Sequence, residues 1–508
     1  MDLSRELKTI SYTIEVWDWK TEKYVADISK ILTSDLDIEW TLNDVESVEF
    51  SIDLVQFKRM CLLMGVQPEE VLTPYVHDIR IRRNGEYILG AQVVETNISI
   101  NNNSPATIQV RCTGFLNLFK DRYISIPWST YKPNDIARAM VDMTQRGDNL
   151  VKNPTIDIDA SYWLCNSGTM TRGTASAYKH AGAGGLRIYY SSAQWLTAAT
   201  RLDVPAGTPL MLTVWVKAAN GKTINFRQRS LATVSANQTL IGSIIGTGDW
   251  QPFTGTFTAA WTNGYLHIEA KDSTYFYIDD CYVYPNDEYD SLNKLNVRLG
   301  IDERSGQTAN LTLNYQLQNI KDALINLTEM ENSKFEFNFS ADRTFNCYSR
   351  IGSNKFDIEA VYPGNIHSMT ITKSASNLAN KILNIGSGIG DERLQVITSD
   401  NTSRATYGTR QSVVTRNNVS VKAALESQGR GDLVDRKNPT NLPKVVIRDG
   451  SINPSNVQVG DSIIVKIEND EYLDSINGLY RVLRMQASID AEMMENITLT
   501  LEPTGYVF

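Results

Sequence analysis

Two amphipathic helix patterns bracket a stretch that reads unlike its surroundings, and that arrangement limits the fold more than any motif in the chain. The first pattern, KPNDIARAMVDMTQR, sets Ile136, Met140 and Met143 on one side; the second, QNIKDALINLTEM, repeats the spacing with Ile320, Leu324 and Leu327. Between them, residues 149–287 hold five of the nine Trp and nine of the 23 Tyr. This block carries ten basic against nine acidic side chains, leaving 39 against 49 in the flanks, so the acidity belongs to the flanks. It runs through NLVKNPTIDIDASYW, MLTVWVKAANG, GDWQPFTGTFTA and YLHIEAKDSTYFYIDDCYVY, short strands split by Gly, Asn, Pro and Asp turns. That spacing predicts an all-β sandwich. An inserted block strains its host least when its two ends lie together, which a jelly roll with neighbouring first and last strands provides.

The flanks are strand-like as well, so the chain is expected to be mainly β. Alternation is clear in YTIEVWDW, VESVEFSIDL and HDIRIRRNGEYILGAQVVETNISI, where Asn84-Gly85 is a strong hairpin signal. Both outer blocks end in hairpins of similar plan, IRIRRNGEYILGAQVVETNISI near the start and GDSIIVKI with NGLYRVLRMQASI near the end, which predicts two similar barrels. At 508 residues several separate cores are required.

LNIGSGIGDER imitates a phosphate-cradling loop, with Gly386, Gly388 and Gly390 spaced by single residues. The dinucleotide fingerprint needs a wider final gap and a helix opening on its last glycine. Here DERLQVITSD follows with strand alternation, so a glycine-rich hairpin is expected and no nucleotide. The net charge of −9 argues against holding nucleic acid by counterion release. MDLSRELKTI lacks the apolar core of a signal peptide, and no apolar run is long enough to span a membrane, which predicts a product made and folded in a cytoplasm. Cys61, Cys112, Cys165, Cys281 and Cys347 form no C-x-x-C pair and read as small buried apolar residues; Cys165 and Cys281 are the two that the insertion would bring near each other.

The outer blocks resemble the tail-tip hub proteins of long-tailed bacteriophages. The resemblance rests on SYTIEVWDWKTEKYVADISK with SVEFSID, on SNLANKILNIGSGIGDERL with ATYGTRQ, and on VQVGDSIIVKI, GLYRVLRMQ and ITLTLEP in that order, over residues 10–147 and 290–503. It implies an N-terminal hub β-barrel at 1–125, a small α+β hub part at 126–148 and 288–390, and a C-terminal hub β-barrel at 391–508. It further implies a homotrimeric ring at the virion tail tip, made in the host bacterial cytoplasm. The partners it implies are the distal tail ring, the tape measure, and tail-tip or fibre proteins, with DNA passing through without specific binding. The hub of a phage-derived contractile injection particle shares every one of these features.

Residues 149–287 resemble the calcium-containing jelly-roll carbohydrate-binding modules, in which an opening like NLVKNPTID and a close like FYIDD lie side by side. That resemblance implies a structural calcium ion held by Asp157 and Asp279, with backbone oxygens completing six to eight ligands. Aspartate at 157 and Ile156 before it depart from the family's glutamate and phenylalanine; capping of a strand end by Asp279 and Asp280 is the alternative.

A sheet presents alternate residues on one side, and sugars are held by flat aromatic rings with planar polar side chains. Period two sends Arg187 and Tyr189 outward from GLRIYYSS, Arg227 and Arg229 from INFRQRS, and Tyr265, His267 and Glu269 from GYLHIEA, which predicts one aromatic and basic face for host cell-surface polysaccharide. Ordinary solvated strand polarity is the plain alternative. Trp195 and Trp261 stand in turn-rich text as stacking platforms, whereas the resemblance implies core positions for Trp163, Trp215 and Trp250.

Catalysis is not expected. The four His residues form no H-E-x-x-H or Cys-His arrangement, no G-x-S-x-G occurs, and Asp279 and Asp280 as strand neighbours would face opposite ways. PTGYVF follows the last expected strand, so no lytic domain is expected after it. A secreted polysaccharide-acting enzyme is the competing class, and it predicts a leader and a catalytic domain.

Overall fold

The computed structural model describes residues 10–507 except 102–103, 125–126, 147–148, 157–158, 181–183, 234–236, 286–293, 308–309, 316–317, 331–332, 389–392, 417–418, 420, 449, 469–476 and 491. The protein is mainly β. Its N-terminal strands lie in the order Lys23–Asp27, Tyr12–Asp18, His77–Arg83, Glu86–Asn101, Ser104–Gly114, Ser47–Asp53 and Leu36–Thr41. Asn84 and Gly85 both take positive φ, 49° and 90°, the mirror-image turn that matches the twist of the flanking strands.

The two outer blocks are joined more closely than separate barrels would be. Leu36–Thr41 pairs antiparallel with Gly478–Ile489, placing Ile38 opposite Ala487 and Trp40 opposite Met485. Glu495–Val507, Thr440–Ile447 and Ile366–Ser374 follow in the same 13-stranded sheet. The physical cause is alternation: Leu36, Ile38 and Trp40 are all buried, and pairing the two halves satisfies edge N–H and C=O groups that each half would otherwise leave open. Ile14, Ile38, Val110, Val465, Val482 and Leu499 accordingly belong to one core.

The expected division at residue 390 is crossed by hydrogen bonds. Asn354–Tyr362 runs parallel to Ser462–Ile467, and Ile366–Ser374 runs antiparallel to Thr440–Ile447. Lys381–Ile385 instead centres a small sheet, antiparallel to Gln395–Ser399 and parallel to Gln411–Thr415, against which the helix Lys422–Arg436 packs. Gly386 and Gly388 open the connection between the first two of these strands. Gly388 has φ 119°, and a Cβ on Gly386 would stand 2.6 Å from the Val419 carbonyl, so both serve backbone geometry. Gly390 lies outside the described residues.

Helices Pro133–Arg146 and Ile320–Thr328 pack on each other, burying Ile136, Met140, Leu324 and Leu327 with Phe337 and Phe345. Asn319 caps the second helix by accepting from the Asp322 amide.

Among the described residues, the strands between Trp163 and Pro285 pair only with one another. Two of them, Gly185–Arg201 and Tyr265–Pro285, are long enough to cross from one layer of a sandwich to the other. The first layer joins Trp163–Ser167, residues 196–201, residues 265–270, Thr223–Arg229 and Gln238–Ile245. The second joins Thr169–Gly173, residues 186–189, residues 276–285, Pro209–Ala218 and Gln251–Thr258. Leu186, Ile188, Val214, Phe226, Ile268 and Phe276 fill the space between, each fully buried side chain contributing about 2 kcal/mol. The block's two ends are hydrogen-bonded together: the Leu150 amide donates to the Val283 carbonyl at 2.8 Å, and the Cys281 amide to the Pro154 carbonyl at 3.0 Å. Cys165 and Cys281 are both free thiols, and burial pushes the Cys281 thiol far above its ordinary range.

Candidate functional site

The outer face of the first layer holds a cleft of about 310 Å3. Register builds it. Ser167 pairs with Thr197, and Thr197 with Glu269, so one cross-strand row supplies three of its lining residues. The next strand brings Arg227 beside His267 and Arg229 beside Tyr265, and Gln238 pairs with Arg229 from the far side. Trp195, 41% exposed, forms the aromatic part of the lining.

The charged floor is almost dry. Glu269 and Arg229 are 2% and 5% exposed. Arg229 Nε donates to Glu269 Oε1 at 3.1 Å, with a second donation from Nη2, while Arg227 Nε stands 3.2 Å from Oε2. Ion pairs this deep cost about as much in desolvation as they return, so stability alone does not account for three charges on one sandwich face. His267 is fully buried with Nε2 donating to the Leu231 carbonyl at 3.2 Å; its Nδ1 stands 4.0 Å from Glu269 Oε1 with no hydrogen-bond partner among the described residues. Burial and the nearby Arg229 guanidinium push its pKa down to about 4, leaving it uncharged near neutrality. The segment after Arg229 folds back over this face: Leu231 meets His267, and Asn166 donates to the Ala232 carbonyl. Tyr265 is half-buried with its ring edge-on to His267, and Trp261 is half-buried in the turn before it.

Arg187 and Tyr189 do not join that cleft. They lie on the second layer, paired with Tyr277 and Tyr275, so the single face expected from alternation is two faces of one sandwich. The reason is that Gly185–Arg201 and Tyr265–Pro285 change layer between their halves, with register shifts after Tyr189 and Gln194. On the second face the Arg187 guanidinium sits 4.5 Å above the Tyr189 ring and donates to the Tyr178 hydroxyl at 3.2 Å. His180 stacks on Trp215 at 3.6 Å, and Trp250 meets Tyr277. Trp163 is buried as expected, but Trp215 and Trp250 are half-buried against His180 and not core.

Asp279 and Asp280 also depart from expectation. Asp280 takes φ 47° at a strand irregularity, and both carboxylates reach His180: Asp279 Oδ2 accepts from its amide at 2.8 Å, and Asp280 Oδ2 lies 2.9 Å from Nδ1. Asp157 lies outside the described residues, and no group of three or more His, Cys, Asp or Glu able to hold a metal occurs among those described. Asp279 is fully buried, and its carboxylate accepts from the Asp280 and His180 amides.

No family model and no curated protein matches the chain. Among solved structures, it is similar to a tail protein from Neisseria meningitidis MC58 at 9% identity and a TM-score of 0.46, over 98% of both chains. A 43 kDa tail protein of prophage MuSo2 from Shewanella oneidensis is similar at 8% identity and 0.45, over 97% of this chain and 98% of that one. Over 28% of this chain, and 100% of the other, it is similar to TmCBM61 in complex with beta-1,4-galactotriose, at 18% identity and 0.23.

Ser167, Thr197 and Gln238 line the cleft without having been singled out from sequence. Thr197 carried a usable signal, two residues from Trp195 on one strand. Ser167 and Gln238 did not, because only cross-strand register brings them in.

Proposed function

We propose that this chain is a non-enzymatic structural component of a long-tailed bacteriophage, a tail-tip hub that forms a trimeric ring and carries an inserted saccharide-binding module. The observation that carries the reading is the cleft: an exposed indole beside dry, fixed polar groups on a sandwich layer is what a sugar needs, a stacking surface and directional donors. The sheet-sharing body supports the scaffold part, since strands from both ends of the chain close around one core while the sandwich pairs only with itself among the described residues.

In this reading the body pairs with the distal tail ring, tape measure and tip or fibre proteins, and its acidic flanks let DNA pass without holding it. Among the described residues the cleft is lined by one carboxylate, Glu269, whereas glycosidase chemistry uses a flanking pair. The sandwich touches cell-surface polysaccharide, and three copies in a ring multiply a weak contact. Calcium at the Asp157–Asp279 end remains part of the proposal; chelator is expected to lower the melting temperature of the sandwich, and an unchanged melting curve removes the ion. Light scattering of the full chain is expected to give a trimer, and an oligosaccharide array is expected to retain it. A monomer at high concentration contradicts the ring, and an array without any bound glycan contradicts the module.

A further inference from the structure

We infer that the saccharide taken by this cleft is acidic, a pyranose chain bearing uronic-acid carboxylates, and that Arg227 is the residue that reads the carboxylate. This rests on the saccharide reading above and adds the charge of the ligand to it.

Among the described residues the cleft is lined by two guanidiniums and one carboxylate. Both oxygens of Glu269 are engaged, one by Arg229 and the other by Arg227 Nε at 3.2 Å. His267 behind them is uncharged near neutrality, so one positive charge stays unbalanced in a recess where Arg229 and Glu269 are nearly out of water. Field in such a recess is screened far less than on an open surface. Arg227 is the member that reaches the opening, with 23% of its side chain exposed. Its terminal amino groups have no hydrogen-bond partner among the described residues.

A guanidinium fork with its terminal N–H groups free matches a planar carboxylate through two parallel bonds. A neutral hydroxyl would satisfy the donors and leave the charge uncompensated. Trp195 narrows the chemistry further: its exposed ring needs the flat C–H face of a pyranose, which a uronic acid has and an acyclic polyol phosphate lacks. The volume lies near the lower end of the roughly 300–1,000 Å3 of small-molecule sites, which suits one or two sugar rings.

The test uses the full chain and matched pairs of oligosaccharides, each uronate-containing member set against its carboxyl-reduced counterpart, with affinity read by calorimetry at low and at physiological salt. At least one acidic member is expected to bind tenfold or more tighter than its reduced partner, with the gap narrowing as salt rises. Arg227→Gln is expected to erase that gap, and a gap that survives the substitution overturns the role given to Arg227. Equal binding within every pair, or binding of reduced members alone, overturns the acidic preference and leaves the saccharide reading standing. Binding of no member overturns both.

Discussion

At the scale of single residues, the cleft makes separable demands on affinity and stability. Trp195 is largely exposed, so Trp195→Ala is expected to weaken saccharide binding by tenfold or more with a melting temperature changed by under about 2 °C. Tyr189 lies on the other layer, and Tyr189→Ala is expected to leave binding intact; lost affinity there would move the site. His267 gives a pH signature. Its imidazole is held down to about 4 by burial, whereas the unfolded chain protonates near the ordinary 6.5. Between those values the unfolded state binds the extra proton, so stability is whole above about 6.5 and is lost as pH falls toward 4, by about 3 kcal/mol. His267→Gln is expected to flatten that acid limb in denaturant titrations, and an unchanged slope would mean that the imidazole already charges in the fold. The outward direction of Arg227, Arg229 and Glu269 was readable from period two. Their burial was not, because the cover comes from residues 230–232 folding back, a turn that alternation does not encode.

At the scale of elements, the seam between the two ends of the chain is held by more than strand pairing. Arg83 on His77–Arg83 meets Glu495 through Nε at 2.6 Å and Nη2 at 3.0 Å, and the Tyr12 hydroxyl donates to the same carboxylate. All three are buried. Burial and the adjacent Glu495 carboxylate push the Tyr12 phenol well above its usual range. Removing one partner strands a charge out of water, so Glu495→Ala is expected to cost about 3 kcal/mol or more, read by chemical denaturation; a loss below about 1 kcal/mol would mean that water reaches Arg83. Hairpins at Asn84-Gly85 and at the glycine run were legible because the required backbone conformations select their residues locally. The joining of Leu36–Thr41 to Gly478–Ile489 was not, since its partners stand more than 400 residues apart and any alternating strand looks alike from sequence. The same long-range pairing moved 354–374 in among the C-terminal strands.

At the scale of the whole molecule, richness in Trp and Tyr between two helix patterns, with short strands split by turns, is what sets residues 149–287 apart in the sequence. The hydrogen-bonded ends, Leu150 to Val283 and Pro154 to Cys281, mean that the host can be closed over a short linker with little strain. Sedimentation of a chain with 149–287 so replaced is expected to show the same assembly as the full chain, and aggregation or a changed state would make the sandwich part of the scaffold. The most direct test of a scaffold carrying its own saccharide reader is an oligosaccharide array probed side by side with the full chain and with that shortened chain. The expected result is glycan binding by the full chain and none by the shortened one. Binding that survives removal of 149–287, or no binding by either chain, would contradict it.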